Sequence, residues 1–254
     1  MKKKILIAGA GGFIGGHLAN YFNNSNNYEL ICADIKPFDY WFQIFDQSKN
    51  YSFDLKDYNN CLQATEGVDY IFNMACNMGG MGFIENNKAD CMISVLINAN
   101  LLRASVQNKV KKYLFSSSAC VYNSQKQKKR FIPGLKEEDA YPADPEDGYG
   151  WEKLFSERMC RHFNEDYGLD VRVVRYHNVY GPNEMGYEHV IPQFIRKLIK
   201  NEEFWVEGDG TETRSFCFID DAIMGTLLVH GDNSNQERIF NIGNPEETSI
   251  SSLS

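Results

Sequence analysis

The sequence predicts an α/β fold, a doubly wound parallel sheet with a smaller carboxy-terminal region. Three observations lead there. Short apolar, strand-like runs recur along the chain, helical patterns lie between most of them, and a glycine-rich turn joins the first run to the first helix. At 254 residues, 43% of them hydrophobic, the chain can bury the core of one large domain, or of one domain with a small appendage.

The first strand is expected over 5–8. It follows the basic start Met1-Lys2-Lys3-Lys4, but glycines break the apolar run too early for a signal peptide. Further strands are expected over 29–33, 70–74, 112–116 and 171–176. Helices with apolar residues at three- and four-residue spacing are expected over 13–23, 58–65, 89–107 and 149–167. Residues 1–180 therefore form the dinucleotide-binding domain of a βαβ alternation. Beyond Tyr180-Gly181-Pro182 the alternation loosens, with a helix over 192–200 and strands over 204–206 and 215–219. Residues 181–254 are expected to be part of a substrate-binding region, with a strand and helix near 215–230 returning to the first domain. Thr248 or Ser249 reads as a helix N-cap with hardly any helix after it, so the last helices of that region are expected to be missing. Residues 125–130 read as a basic, solvated loop.

Charge and cysteine usage narrow the class. A formal charge of -8 and a pI near 5.2 argue against a general nucleic-acid binder, which needs clustered Lys and Arg to displace counterions. Seven scattered cysteines form neither CxxC pairs nor a disulfide framework, and are expected to be reduced thiols in the cytoplasm. No run approaches the ~18 consecutive apolar residues of a membrane helix, so no membrane partner is expected.

Gly9, Gly12 and Gly15 follow a strand and open a helix, the context in which such glycines meet a pyrophosphate on backbone amides, here with those of Phe13 and Ile14. Asp34 ends the second strand nineteen positions after Gly15, where a carboxylate accepts from ribose hydroxyls and repels a 2′-phosphate. NAD is thus expected over NADP, with Lys36 as a nearby cation. Asp54 and Leu55 are candidates for hydrogen bonding and packing on adenine. Tyr149 and Lys153 stand four apart on a helix, hence on one face. A phenol with an ordinary pKa near 10 becomes a base at neutral pH only if something stabilises its anion, and the Lys153 cation, joined by that of oxidised nicotinamide, is expected to do so. Ser118, at the end of a strand and before a loop, is expected to donate to the same substrate oxygen. No metal ligand set is evident.

These runs, with Asn73-Met74-Ala75, Ser116 to Tyr122, Asn178-Val179-Tyr180-Gly181-Pro182 and Arg214-Ser215-Phe216, resemble the extended short-chain dehydrogenase/reductase family over essentially the whole chain. The resemblance implies a Rossmann domain, NAD with Ala75 among its contacts, a nucleotide-diphosphate sugar as substrate, and a homodimer paired through helices that include 149–167. Within the family, Met78-Gly79-Gly80-Met81-Gly82-Phe83-Ile84, Ser117-Ser118-Ala119-Cys120 and residues 208–216 are similar to runs of the GDP-mannose 3,5-epimerases, so a GDP-hexose is favoured. That group implies transient oxidation at C4, which acidifies the neighbouring C–H bonds, with Cys120 as the base that inverts C5, C3 or both. Where the group has an acidic lysine, this chain has a shorter loop and His189, a candidate acid because an imidazole can donate a proton near neutrality, with a satisfied loop histidine as the alternative. The resemblance also implies that Met78, Gly79 and Gly80 meet the hexose, and that Asn178, Lys197 and Arg214 meet the diphosphate. Two other readings stay open: a 4-epimerase of the UDP-galactose type in which Cys120 only shapes the pocket, and a non-catalytic NAD-binding regulator. Dehydratases and decarboxylases of the family carry an acidic residue after the serines, where this chain has Ala119-Cys120.

Overall fold

The computed structural model describes residues 2–127, 134–184, 189–203, 206, 208–234 and 238–253. In chain order the elements are β1 (Lys3–Ala8), α1 (Phe13–Asn23), β2 (Tyr28–Asp34), β3 (Lys49–Ser52), α2 (Tyr58–Ala64), β4 (Tyr70–Asn73), α3 (Met81–Asn86), α4 (Lys88–Ile93), α5 (Val95–Gln107) and β5 (Lys112–Ser118). They continue with α6 (Ser124–Gln127), α7 (Tyr149–Tyr167), β6 (Asp170–Tyr176), β7 (Val179–Tyr180), α8 (Val190–Lys200), β8 (Thr213–Arg214), β9 (Cys217–Phe218), α9 (Ile219–Gly231), β10 (Ile239–Ile242), β11 (Thr248–Ser249) and α10 (Ile250–Leu253).

Seven strands form one parallel sheet in the order β10-β6-β5-β4-β1-β2-β3. Successive side chains of β1 point to opposite faces and both faces are covered, which is why its residues from Ile5 to Ala8 are all apolar. Ile5 and Ile7 join Leu18 and Phe22 of α1 with Ile219, Ala222 and Ile223 of α9. Leu6 and Ala8 join Leu101, Leu102 and Ala104 of α5 with Cys160 of α7. Burying each such aliphatic side chain contributes about 1.5–3 kcal/mol.

Some elements differ from expectation. β3 and β10 extend the sheet at its two edges, and neither was expected. The helix expected over 89–107 is two, α4 and α5, meeting at Ser94, whose hydroxyl accepts the Asn77 amide at 2.8 Å. The strand expected over 215–219 is only β9, because Ile219 already opens α9, with Asp220 and Asp221 favouring that first turn. Of the strand expected over 204–206, residues 204 and 205 lie outside the described residues, as do residues 128–130 of the basic loop, whose residues 125–127 are helical, in α6. Ser249 does cap α10, its hydroxyl accepting from the Ser252 amide at 3.2 Å. By length and composition Lys88–Gln107 could cross a membrane, yet 44% of that stretch is buried inside the protein.

Candidate active site

Moving from β1 to β4 reverses the direction in which strands are added to the sheet, and loops on either side of this switch diverge to leave a crevice at the carboxyl ends. A cleft of about 1820 Å³ opens there. It is lined by Gly9, Gly12, Phe13, Ile14, Gly15, Asp34, Asp54, Leu55, Ala75, Met78, Gly79, Ser118, Cys120, Tyr149, Asn178, His189, Lys197 and Arg214. Thus one concavity gathers nearly every residue singled out in the sequence. Lys153 lies behind its wall, and Gly80 is buried as the N-cap of α3.

At the glycine turn there is no space for side chains. A Cβ on Gly15 would stand 2.1 Å from the Gly9 carbonyl oxygen, and Gly9 itself has a φ of +84°, with Ala75 backbone 2.8 Å from where its Cβ would be. No side chain caps α1 at Gly12, so its first-turn amides, which have no intrahelical acceptors, are open to the cleft. The Asp34 carboxylate is buried at the end of β2 and accepts from the amides of Gly11 and Lys36, at 3.0 and 2.9 Å. Burial raises its pKa, while those amides and the Lys36 charge act in the opposite direction. The Lys36 ammonium turns to the Gly11 carbonyl at 3.2 Å. Asp54 accepts the Lys56 amide at 2.8 Å, and Leu55 is buried beside it. A side-chain-free turn with open amides and a carboxylate at the neighbouring strand end fits a dinucleotide with unphosphorylated ribose hydroxyls.

Tyr149 is the first residue of α7, entered through Gly148 at a φ of +72°. The Lys153 ammonium lies 5.5 Å from the Tyr149 ring centre, 4.8 Å from that of Phe115 and 3.7 Å from the Glu152 carboxylate. Burial works against its charge, but Cys76 and Glu152 beside it hold its pKa above the ordinary lysine value. Burial, then the nearby Cys76, Cys120 and Glu152, push Tyr149 well above its usual range, opposed by a hydrogen bond with Ser118. Cys76 and Glu152 share the Lys153 cation with the phenol.

Cys120 is half-buried, packed with Cys76, Met78 and Tyr149, and its amide donates to the Ser118 hydroxyl at 3.2 Å. Burial raises its thiol pKa; the Ser118 hydrogen bond lowers it, Glu146 raises it, and Arg214 and Lys153 lower it. Gly150 sets this contact, because a Cβ there would stand 2.3 Å from the Cys120 carbonyl oxygen. Asn178, with a φ of +39°, donates to the Ser215 carbonyl at 2.9 Å, and Arg214 to the Thr213 carbonyl at 2.8 Å. His189 meets Glu184 at 2.5 Å. Of its neighbours in the sequence, Tyr187 and Glu188 lie outside the described residues.

Sequence reasoning missed three of these residues. Cys76 was legible only as the residue just past β4, at the carboxyl edge where such sheets hold ligands. Gly150 was legible as a glycine inside an otherwise strong helix. Glu184 carried no signal, since its five-residue separation from His189 follows no helical or strand period.

The fold and the cleft define a nicotinamide-dinucleotide enzyme of the Rossmann type. The profile of the NAD dependent epimerase/dehydratase family matches residues 5–243, and the chain belongs to that family. The GDP-mannose 3,5-epimerase of Arabidopsis thaliana is 39% identical over 98% of this chain and 67% of its own length. GDP-mannose 3,5-epimerase 1 of Oryza sativa subsp. japonica is 40% identical over 99% and 67%. Among solved structures, the UDP-glucose 4-epimerase of Thermotoga maritima with UDP-glucose superposes with a TM-score of 0.86 at 25% identity, over 98% of this chain and 80% of that one. The protein is an NAD-dependent nucleotide-sugar epimerase, and its cofactor is NAD.

Proposed function

We propose that the protein is a GDP-mannose 3,5-epimerase-like enzyme: it oxidises C4 of a nucleotide-diphosphate hexose, inverts C5, C3 or both beside the ketone, and reduces C4 again. One observation carries the reading: the Cys120 thiol packs in the same cluster as Tyr149 and opens into the same cleft, so one bound sugar can meet both. The 39% and 40% identical relatives support a GDP-hexose as substrate. NAD, when bound, would supply the reversible hydride chemistry at C4. The first-turn amides of α1 would receive its pyrophosphate, Asp34 the ribose, Asp54 and Leu55 the adenosine end, with Ala75 alongside. Tyr149 takes the C4 hydroxyl proton, Ser118 hydrogen-bonds the same oxygen, and Lys153 sustains the local positive charge. Cys120, as thiolate, takes the proton from carbon and His189 supplies one to the opposite face. Met78, Gly79 and Gly80 border the hexose, and Asn178, Lys197 and Arg214 meet the diphosphate.

Exposed Leu96 on α5, with Trp151 and Phe155 on α7, supports pairing into a homodimer across these helices. The seven free cysteines fit a reducing, cytoplasmic setting.

The likeness to a UDP-glucose 4-epimerase favours a second reading, in which the ketone turns over in the cleft and Cys120 stays a thiol. Heavy water distinguishes the two. With NAD and GDP-mannose or UDP-glucose, inversion beside the ketone brings deuterium to C3 or C5, read by mass spectrometry and NMR. A 4-epimerase converts the sugar without label, and that result would overturn the first reading.

A further inference from the structure

His189 occupies the N-cap position of α8, where a short oxygen-bearing side chain ordinarily accepts from the first-turn amides. Its imidazole makes no such bond. Instead its Nδ1 reaches back five residues to the Glu184 Oε1 at 2.5 Å. The chain leading into Glu184 makes a tight bend: Gly181 has a φ of +158°, Asn183 a φ of +67°, and the Glu184 amide returns to the Gly181 carbonyl at 3.4 Å. That bend drives Glu184 inward until its side chain is only 2% exposed, while the His189 side chain keeps 37% exposure on the cleft wall. A buried carboxylate is costly without a donor, so the arrangement needs the imidazole to stay where it is.

Resting on the reading of His189 as the acid, we propose that Glu184 is its positioning residue, and that the pair forms a carboxylate–imidazole dyad supplying the second face of the sugar. As the acid the ring is an imidazolium with a hydrogen on each nitrogen: a carboxylate can only accept, so the one on Nδ1 points to Glu184 and the proton to be given is the one on Nε2. The chemistry balances without a co-reactant. The carbon–hydrogen bond beside the ketone breaks as the Cys120 sulfur takes the proton, leaving an enolate. The Nε2–H bond then breaks as a new carbon–hydrogen bond forms on the other face. Exchange of the thiol and the imidazole with water restores both groups. Glu184 touches no reacting atom; it holds the ring in one tautomer and one direction, as an outer carboxylate does for many catalytic histidines.

The test uses the NAD-bound protein with GDP-mannose in heavy water, and follows two products separately: inverted sugar, and unchanged sugar that has gained deuterium by return from the Cys120 side. For His189→Ala, inversion is expected to fall by the ~10²–10⁴-fold that a positioned acid supplies, while labelling with retention continues. Glu184→Gln is expected to move the ratio in the same direction by a smaller factor, in kcat and not in KM. The double variant is expected to be no worse than His189→Ala alone, because a residue that acts only through another loses its effect when that other is gone. A ratio unmoved by Glu184→Gln, or a double variant whose losses multiply, would overturn the dyad. Histidine-labelled nitrogen NMR on the unaltered protein at about pH 8, above the ordinary imidazole pKa near 6.5, checks the same point without a variant. A protonated His189 Nδ1 is expected there, and a bare Nδ1 would overturn the proposal. Absence of label at C3 and C5 with the unaltered protein would instead remove the 3,5-epimerase reading itself.

Discussion

Cys120 and Tyr149 are both bases only when deprotonated, and both are held in the protonated form by their surroundings. Burial lifts each pKa, and the proximity of the two groups adds to the rise for Tyr149. Below a raised thiol pKa, the thiolate fraction grows about tenfold with each pH unit. The rate of deuterium entry beside the ketone is therefore expected to climb steadily between about pH 6 and pH 8. A flat profile over that window, measured on substrate-saturated protein, would count against Cys120 as the base. Cys120→Ala is expected to abolish label uptake and leave NAD binding intact. Tyr149→Phe removes the phenolic proton acceptor but keeps the ring that fills the pocket. Turnover is expected to drop by ~10²–10⁴-fold with NAD affinity retained, as measured by initial rates and calorimetric titration.

At the level of elements, α7 matters most, because it carries Tyr149 and Lys153 and must be held in register against Ser118 of β5. A buried ion pair does this. Arg175 of β6 grips Glu157 through two bonds, at 2.9 and 2.7 Å, and the Ser117 hydroxyl donates to the same carboxylate at 2.5 Å. Glu157 lies one turn beyond Lys153, so the anchor sits under the catalytic face. Replacing Glu157 by Ala strands a buried guanidinium, and removing one partner of such a pair costs about 3–5 kcal/mol. Guanidinium chloride unfolding of Glu157→Ala is expected to show that loss. The helices α1, α2, α5 and α7 and the inner strands were legible in the sequence because each buries a continuous apolar face, whose period shows in single residues. β3 and β10 were not. β3 is only Lys49-Asn50-Tyr51-Ser52 and β10 only Ile239-Phe240-Asn241-Ile242, and each becomes a strand by pairing on one side with an edge already formed. Their local composition did not set them apart from loop.

Across the whole molecule, the end of the sheet opposite the cleft holds a pH-sensitive contact. His230, near the end of α9, rests between the rings of Tyr70 and Phe72 at 4.9 and 4.7 Å. Burial first, and then the Lys112 charge, lower its pKa to about 4. In the unfolded chain the same imidazole protonates near pH 6.5. Below that pH the unfolded state binds the proton that the folded state refuses, so stability is expected to fall as pH drops from about 6.5 towards about 4. His230→Phe is expected to flatten that part of a melting-temperature profile; an unchanged slope would assign acid sensitivity to other groups.

The alternation of the five inner strands with helices, the dinucleotide turn, Asp34 and the Tyr149–Lys153 pair were determined by the sequence alone. Each depends on short-range spacing: two residues in a strand, four on a helix, or a glycine where backbone must approach backbone. Only the tertiary structure decided who shares the Lys153 charge, that Cys76 and Cys120 crowd the phenol, that Gly150 admits the Cys120 carbonyl, and that Glu184 holds His189. These relations join residues from different strand ends and loops, and their electrostatics follow from how deeply the packed chain removes them from water.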